Sequence, residues 1–310
     1  MKVEYVLLLL LLLIYSAATQ AADIIPKPNI VKVNEQVYAL LGPIGFPGKE
    51  NRGYMVNITV IVGDKGIILV DTGFTDEIGR HLKKFIASIS DKPVTHIINT
   101  HHHGDHVLGN SEFPGTEIIS AEKCKELVIK EGYEWIGLVE NMTGYKFPNT
   151  KPIPATRVFP ENTRVSVALQ GVKMDLWVPG GSHTPGDIMV YLPADKILIS
   201  GDVLVNKMTP SFRDAHVKTW IGTLQEVSKM DINTVIPGHG PLMQLSDVRA
   251  MQKRMAELYA GIEAGYKKGL MDSEIRKILD LSEWKDMVEF EGLMGMNINR
   301  TYLEVEEANF

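Results

Sequence analysis

Apolar and polar positions alternate along this chain in a way that divides it into short strands and amphipathic helices. Residues 30–41 read as a first strand with a polar interruption, and residues 42–54, with Gly42-Pro43, Gly45, Pro47-Gly48 and Gly53, as a turn-rich loop. Residues 56–62 and 66–70 flank Gly63-Asp64-Lys65, which predicts a strand–turn–strand hairpin. Over residues 75–89 the apolar positions Ile78, Leu82, Phe85, Ile86 and Ile89 recur at helical spacing, with Thr75 placed as the cap. Residues 94–99 form an apolar run of the buried-strand kind. The alternation then repeats: 116–120 strand-like, 121–130 helix-like, and four β runs at 164–169, 172–178, 188–192 and 196–200. An amphipathic helix over 217–229 and a short strand over 234–236 follow. Residues 246–264 predict one long helix with Ser246 as N-cap and Asp247 in its first turn, and helical signals continue around Leu279, Trp284, Met287 and Leu293. This mixture predicts an α/β fold, with two sheets packed face to face and helices outside.

The strand ends carry the candidate chemistry. The run 94–99 leads directly into His101-His102-His103-Gly104-Asp105-His106. The alternation His101-x-His103 lets two imidazoles reach one ion from a single extended turn, while Asp105 and His106 are free to face a second. His183, Asp202 and His239 follow later, each after a strand-like run and beside a glycine, where a side chain can emerge from a sheet edge. A short histidine tract alone is a weak signal; the whole ordered set is a specific one.

The set His-x-His-x-Asp-His, then His, Asp and His, resembles the metallo-β-lactamase superfamily over roughly residues 30–242. The resemblance implies an αββα sandwich with a C-terminal helical extension, and a metal-dependent hydrolase. It also implies that His101, His103 and His183 hold one metal, Asp105, His106 and His239 the second, and that Asp202 bridges them. Three imidazoles at one ion leave a fourth position open, as in catalytic zinc sites. The N/O donor set suits zinc best, with iron, manganese or cobalt as alternatives. Two such ions, about 3.5–4 Å apart, share a hydroxide that attacks a carbonyl or phosphoryl centre, and Asp105 orients that nucleophile and carries its proton. Asp71, in Asp-Thr-Gly, matches the family aspartate that orients the histidine loop. His102 points away from the metals in an extended turn, and His81 and His96 read as structural. Thr184 and Asp187 either brace the His183 loop or simply form its turn. Residues 45–54 lie where relatives place a flap. Residues 206–216 carry Lys207 and Arg213, cations suited to a substrate carboxylate or phosphate.

Many β-lactamases of this superfamily have cysteine or serine where Asp202 stands. Aspartate resembles the thioesterase, lactonase and phosphodiesterase branches, so the expected substrate is a small ester, lactone, thioester or related molecule, with β-lactam turnover as a side activity. The alternatives are an iron-dependent, sulfur-dioxygenase-like or periplasmic redox-pathway protein, and a non-catalytic metal-binding module.

Composition narrows the partners. The chain has 310 residues, 45% hydrophobic and 23% charged, enough to bury a sizeable core. A net charge of −6 gives no polyanion footprint, so no nucleic-acid partner is expected; the oligomeric state is open. Lys2, an apolar run over 6–14 and the small residues before Ala21 read as a signal peptide over 1–21, followed by a single domain over 22–310 with its core at about 30–242 and the extension at 243–310. The protein is therefore expected to be exported, periplasmic or secreted, with no stable membrane anchor after processing. Cys124, the one cysteine, excludes an intrachain disulfide and reads as a buried, inert thiol on a surface helix.

Overall fold

A computed structural model describes residues 25–309; the expected signal segment lies outside the described residues. Two sheets form the frame. In the first, β1 (Asn29–Lys32), β2 (Val37–Leu41), β3 (Ile58–Val62), β4 (Ile67–Val70), β5 (Val94–Ile98), β6 (Glu117–Ala121) and β7 (Arg157–Phe159) lie in chain order, antiparallel as far as β4 and parallel beyond it. The second runs β12 (Thr234–His239), β11 (Ile197–Val205), β10 (Met189–Leu192), β9 (Val172–Val178), β8 (Thr163–Leu169), with only β11 and β12 parallel.

The second sheet has apolar side chains on both faces. In β11, Ile197 and Ile199 join the core between the sheets, while Leu198 joins a second core under the helices. Ile236 and Val235 divide in the same way on β12. Successive strand residues point to opposite faces, so a continuous apolar run marks a sheet covered on both sides. The outer cover consists of α4 (Val217–Val227), α5 (Leu245–Tyr266), α6 (Asp272–Ile278) and α7 (Phe290–Glu307). On the first sheet, α1 (Asp76–Ile89) buries Ile78, Leu82 and Ile86, and the Thr75 side chain accepts from Ile78 N at 3.2 Å, as its sequence predicts. Among the described residues no helix is long and apolar enough to cross a membrane.

Several boundaries differ from expectation for local reasons. The strand read over 30–41 is a hairpin, because the Asn34 side chain accepts from Gln36 N and Val37 N and turns the chain. The helix read over 121–130 is α3 (Glu122–Thr143), whose glycines mask its second half; a Cβ on Gly132 would sit 2.3 Å from Pro152. The N-cap of α5 is Gln244, two residues before Ser246, and its backbone N–H donates to Asp247. Strand β11 runs five residues past the expected end at Ser200. Cys124 is buried on the inner side of α3, and burial pushes its thiol up to about 12.

Candidate metal centre

The site lies where strand ends from both sheets meet. Asp71 leaves β4 in a left-handed conformation (φ 65°). Its carboxylate accepts from Thr100 N at 2.8 Å, Thr100 Oγ1 at 2.7 Å and His106 Nδ1 at 2.7 Å. Thr100 spends its proton on Asp71, so its oxygen accepts from His101 Nδ1, 3.1 Å away. One buried carboxylate thereby orients two imidazoles. His103 is the residue before the short helix α2 (Gly104–Val107), which carries Asp105 and His106 round the corner.

The second sheet brings the other donors. The β11–β12 register shifts on both sides of Gly201, and this irregularity aims Asp202 out of the ladder. Gly238 on β12 leaves the space for it, since a Cβ there would lie 1.9 Å from Asp202 Oδ1. His239 ends β12, and His183 sits in the β9–β10 connection.

These side chains fall into two groups, one of His101, His103, His183 and Asp202, the other of Asp105, His106 and His239. In the first, His103 Nδ1 and His183 Nε2 lie 3.2 Å apart, and His183 Nε2 is 3.6 Å from Asp202 Oδ2. In the second, Asp105 Oδ2 is 3.4 Å from His106 Nε2 and 3.2 Å from His239 Nε2. Asp202 reaches into this group too, with Oδ1 3.3 Å from His106 Nε2 and Oδ2 3.3 Å from His239 Nε2.

The opposite nitrogen of each imidazole is already engaged. His103 Nε2 donates to Asp214 at 2.9 Å, His183 Nδ1 to Ser211 O at 3.1 Å and His239 Nδ1 to Met55 O at 3.0 Å. A neutral imidazole that donates from one nitrogen presents a lone pair at the other. His103 and His183 therefore aim two lone pairs at each other across 3.2 Å, an arrangement that calls for a cation. His101 Nε2, His106 Nε2 and Asp202 Oδ1 are likewise buried without a hydrogen-bond partner. The donor set fits metal ions.

The charge balance agrees. Burial drives His101 well below the usual imidazole range and His103 down to about 3. Burial also works against charge on His106 and His239, yet Asp105 and Asp202 hold the first well above its ordinary value and the second at about 10. Despite their own burial, those histidines keep Asp105 and Asp202 well below the carboxylate range. A cluster that gathers protons in this way has negative charge to be neutralised.

Around the centre, Arg213 lines a cavity of about 250 Å³ that reaches Asp105 and Asp202; its guanidinium lies 4.2 Å over the Trp135 ring and its Nε donates to Asp214 at 2.9 Å. Lys207 is not among the lining residues; it sits at a turn with φ 58°. Of the loop 45–54, Phe46 and Pro47 line the cavity. His102 turns away, with Nε2 3.4 Å from Glu131 on α3. Thr184 donates to Asp187 through both its backbone N–H and its hydroxyl, and burial raises Asp187 to about 7. His81 bonds Pro26 O and His96 lies beside Glu117, and neither belongs to the two donor groups. Asp214 and Trp135 had no signal in the sequence, because their contacts cross 111 residues in one case and a helix–loop boundary in the other. Asn57, equally unforeseen, ties Pro237 O and Gly240 O on either side of His239.

Residues 51–239 match the family model described as "Metallo-beta-lactamase superfamily". The chain belongs to this superfamily. It is a hydrolase of the superfamily with an αββα sandwich fold. Among its relatives, it is 28% identical over 215 residues to a "Metallo-beta-lactamase type 2" from Bacillus cereus, covering 67% of this chain and 73% of the relative. It is 27% identical over 219 residues to a "Linear primary-alkylsulfatase" from Pseudomonas sp. (strain ATCC 19151), covering 58% of this chain and 40% of that longer protein. Among solved structures, a metallo-beta-lactamase from Pontibacter korlensis superposes with a TM-score of 0.60 at 20% identity, covering 74% of this chain and 99% of the other, a likeness of fold.

Proposed function

We propose that this chain is an exported hydrolase that holds two zinc ions and cleaves a small ester, lactone or thioester, with β-lactam turnover as a side activity. The observation that carries the reading is the pair of facing lone pairs on His103 and His183, beside a carboxylate, Asp202, that touches both donor groups. His101, His103 and His183 would hold one ion, Asp105, His106 and His239 the other, with Asp202 shared. Bound zinc supplies Lewis acidity and a water made acidic near neutrality.

The chain's own residues supply the rest. Asp71 and Thr100 hold His101 and His106 in the one orientation that presents Nε2. Asp214 does the same for His103. Asp105 borders the cavity as a carboxylate and can accept and return a proton there. Arg213, stacked on Trp135 and bonded to Asp214, places a fixed positive charge on the cavity wall. The cavity walls beside the donors are largely apolar, with Phe46, Phe74, Trp135 and Leu293 among them. The names of the two relatives, a β-lactamase and an alkylsulfatase, support a small-molecule substrate.

The test is metal analysis of the mature chain, purified without chelator or affinity tag, beside assays on a lactone, a thioester, a phosphodiester and a chromogenic cephalosporin. About two zincs per chain with turnover of one class is expected. One iron and no hydrolysis would overturn the reading.

A further inference from the structure

The family match ends at residue 239, yet the cavity over the metal centre is walled in part by α7, which begins at Phe290. Leu293 and Met296 of α7 line that cavity together with Phe46 of the loop after β2, Leu138 and Met142 of α3 and the buried Phe74. Helix α7 is fastened at this spot. Asn297, fully buried, accepts from Phe212 N at 2.9 Å and donates to Pro210 O at 2.8 Å. Just before the helix, Val288 exchanges backbone hydrogen bonds with the 207–209 segment, and Glu289 accepts from Phe46 N at 3.3 Å.

Phe46, Leu138 and Met142 remain 36%, 38% and 39% exposed. Scattered apolar residues on a surface need no explanation, but these three stand together at the mouth of one cavity whose floor is polar and buried. Two of the wall residues on α3 and α7 are methionines, flexible side chains that conform to chains of different shape. Arg213 is the cation at this mouth, and its Nε and ring face are committed to Asp214 and Trp135.

Resting on the hydrolase reading above, we propose that the C-terminal helix α7 is a specificity element, which closes one side of an apolar slot for the unbranched acyl or alkyl chain of the substrate. The cleavable group would sit over Asp105 and Asp202, with the chain running outward between α3 and α7. The substrate class is thus a medium-chain ester or thioester rather than a compact polar one.

Two measurements on the metal-loaded protein test this. The first is kcat/KM across p-nitrophenyl esters from acetyl to octanoyl; the second is calorimetric affinity for butanol, hexanol and octanol, which report on the slot without any bond being cleaved. The expected result is a rise in both of roughly three- to fourfold per added methylene until the slot is filled. Met296→Trp, which fills the slot, and Met142→Ser, a change at an exposed position that the fold tolerates, should each lower the octanoyl-to-acetyl ratio about tenfold. A flat ester profile with flat alkanol affinity overturns the slot, whatever the rate on the acetyl ester. So does a steep profile that neither variant alters. Alkanol affinity that climbs with chain length, and falls in both variants, while no ester is cleaved supports the slot and instead counts against the ester-hydrolase reading.

Discussion

The floor and the mouth of the cavity are built on opposite principles. Every donor on the floor is buried, in the tight turn after β5, in the β9–β10 connection, at the irregularity of β11 or at the end of β12, and each imidazole is held by a hydrogen bond to Asp71 directly or through Thr100, to Asp214, to Ser211 O or to Met55 O. The mouth is made of apolar side chains from a loop, α3 and α7, several of them over a third exposed. Metal chemistry tolerates little displacement of a donor, so the floor is over-determined. Selecting an apolar group needs only area and shape, which a deformable wall supplies.

The difference can be broken from the floor with the largest effect. His183→Ala or Asp105→Ala should abolish hydrolysis, a loss on the order of 10³-fold or more, while circular dichroism stays native; unchanged turnover in either variant would sink the mechanism. Next comes Gly238→Ala, which places a Cβ 1.9 Å from Asp202 Oδ1 and against backbone at 2.8 Å. Metal affinity should fall by at least the roughly 10–100-fold that misplacing a supporting group costs, read as stoichiometry after dialysis; full retention of two ions would show that Asp202 is not shared. Asn297→Ala deprives the buried Phe212 N–H of its acceptor and loosens the segment whose Ser211 O holds His183, which should cost about 1–3 kcal/mol of stability and weaken metal retention less than Gly238→Ala does, checked by denaturant titration and metal analysis together. The smallest effect belongs to Glu304→Ala. Its carboxylate accepts from Val217 N at 2.7 Å and Lys218 N at 2.9 Å, and losing it should cost about 1 kcal/mol, a melting shift of a few degrees with hydrolysis unaltered.

The same division governs how much could be read from the residues alone. The donor set was legible because its members sit at ends of apolar runs and four of the seven fall within six consecutive positions. Strands β3, β4 and β5 and helix α1 were legible because period-2 and 3.6-residue patterns are local. Strand β7 was not, being three residues of an edge with no pattern of its own, nor was the second half of α3, where Gly132 serves packing against Pro152. Lys207 and Arg213 looked equivalent as loop cations, yet Arg213 borders the cavity and Lys207 turns the chain.

Local order along the chain was thus enough for the kinds of donor present, the β3–β4 hairpin and the first helix, because backbone propensity and side-chain periodicity act over a few residues. The partnerships that give those donors their function were settled at long range. Asp214 meets His103 across 111 residues, Asn57 braces the His239 turn across 183, and Glu304 caps a helix 87 residues upstream whose own N-cap, His216, makes no side-chain capping bond. A hydrogen-bond acceptor has no sequence period, and a cavity wall has no spacing rule. Both come into being only when the two sheets and the C-terminal helices pack and bury groups that must then find partners.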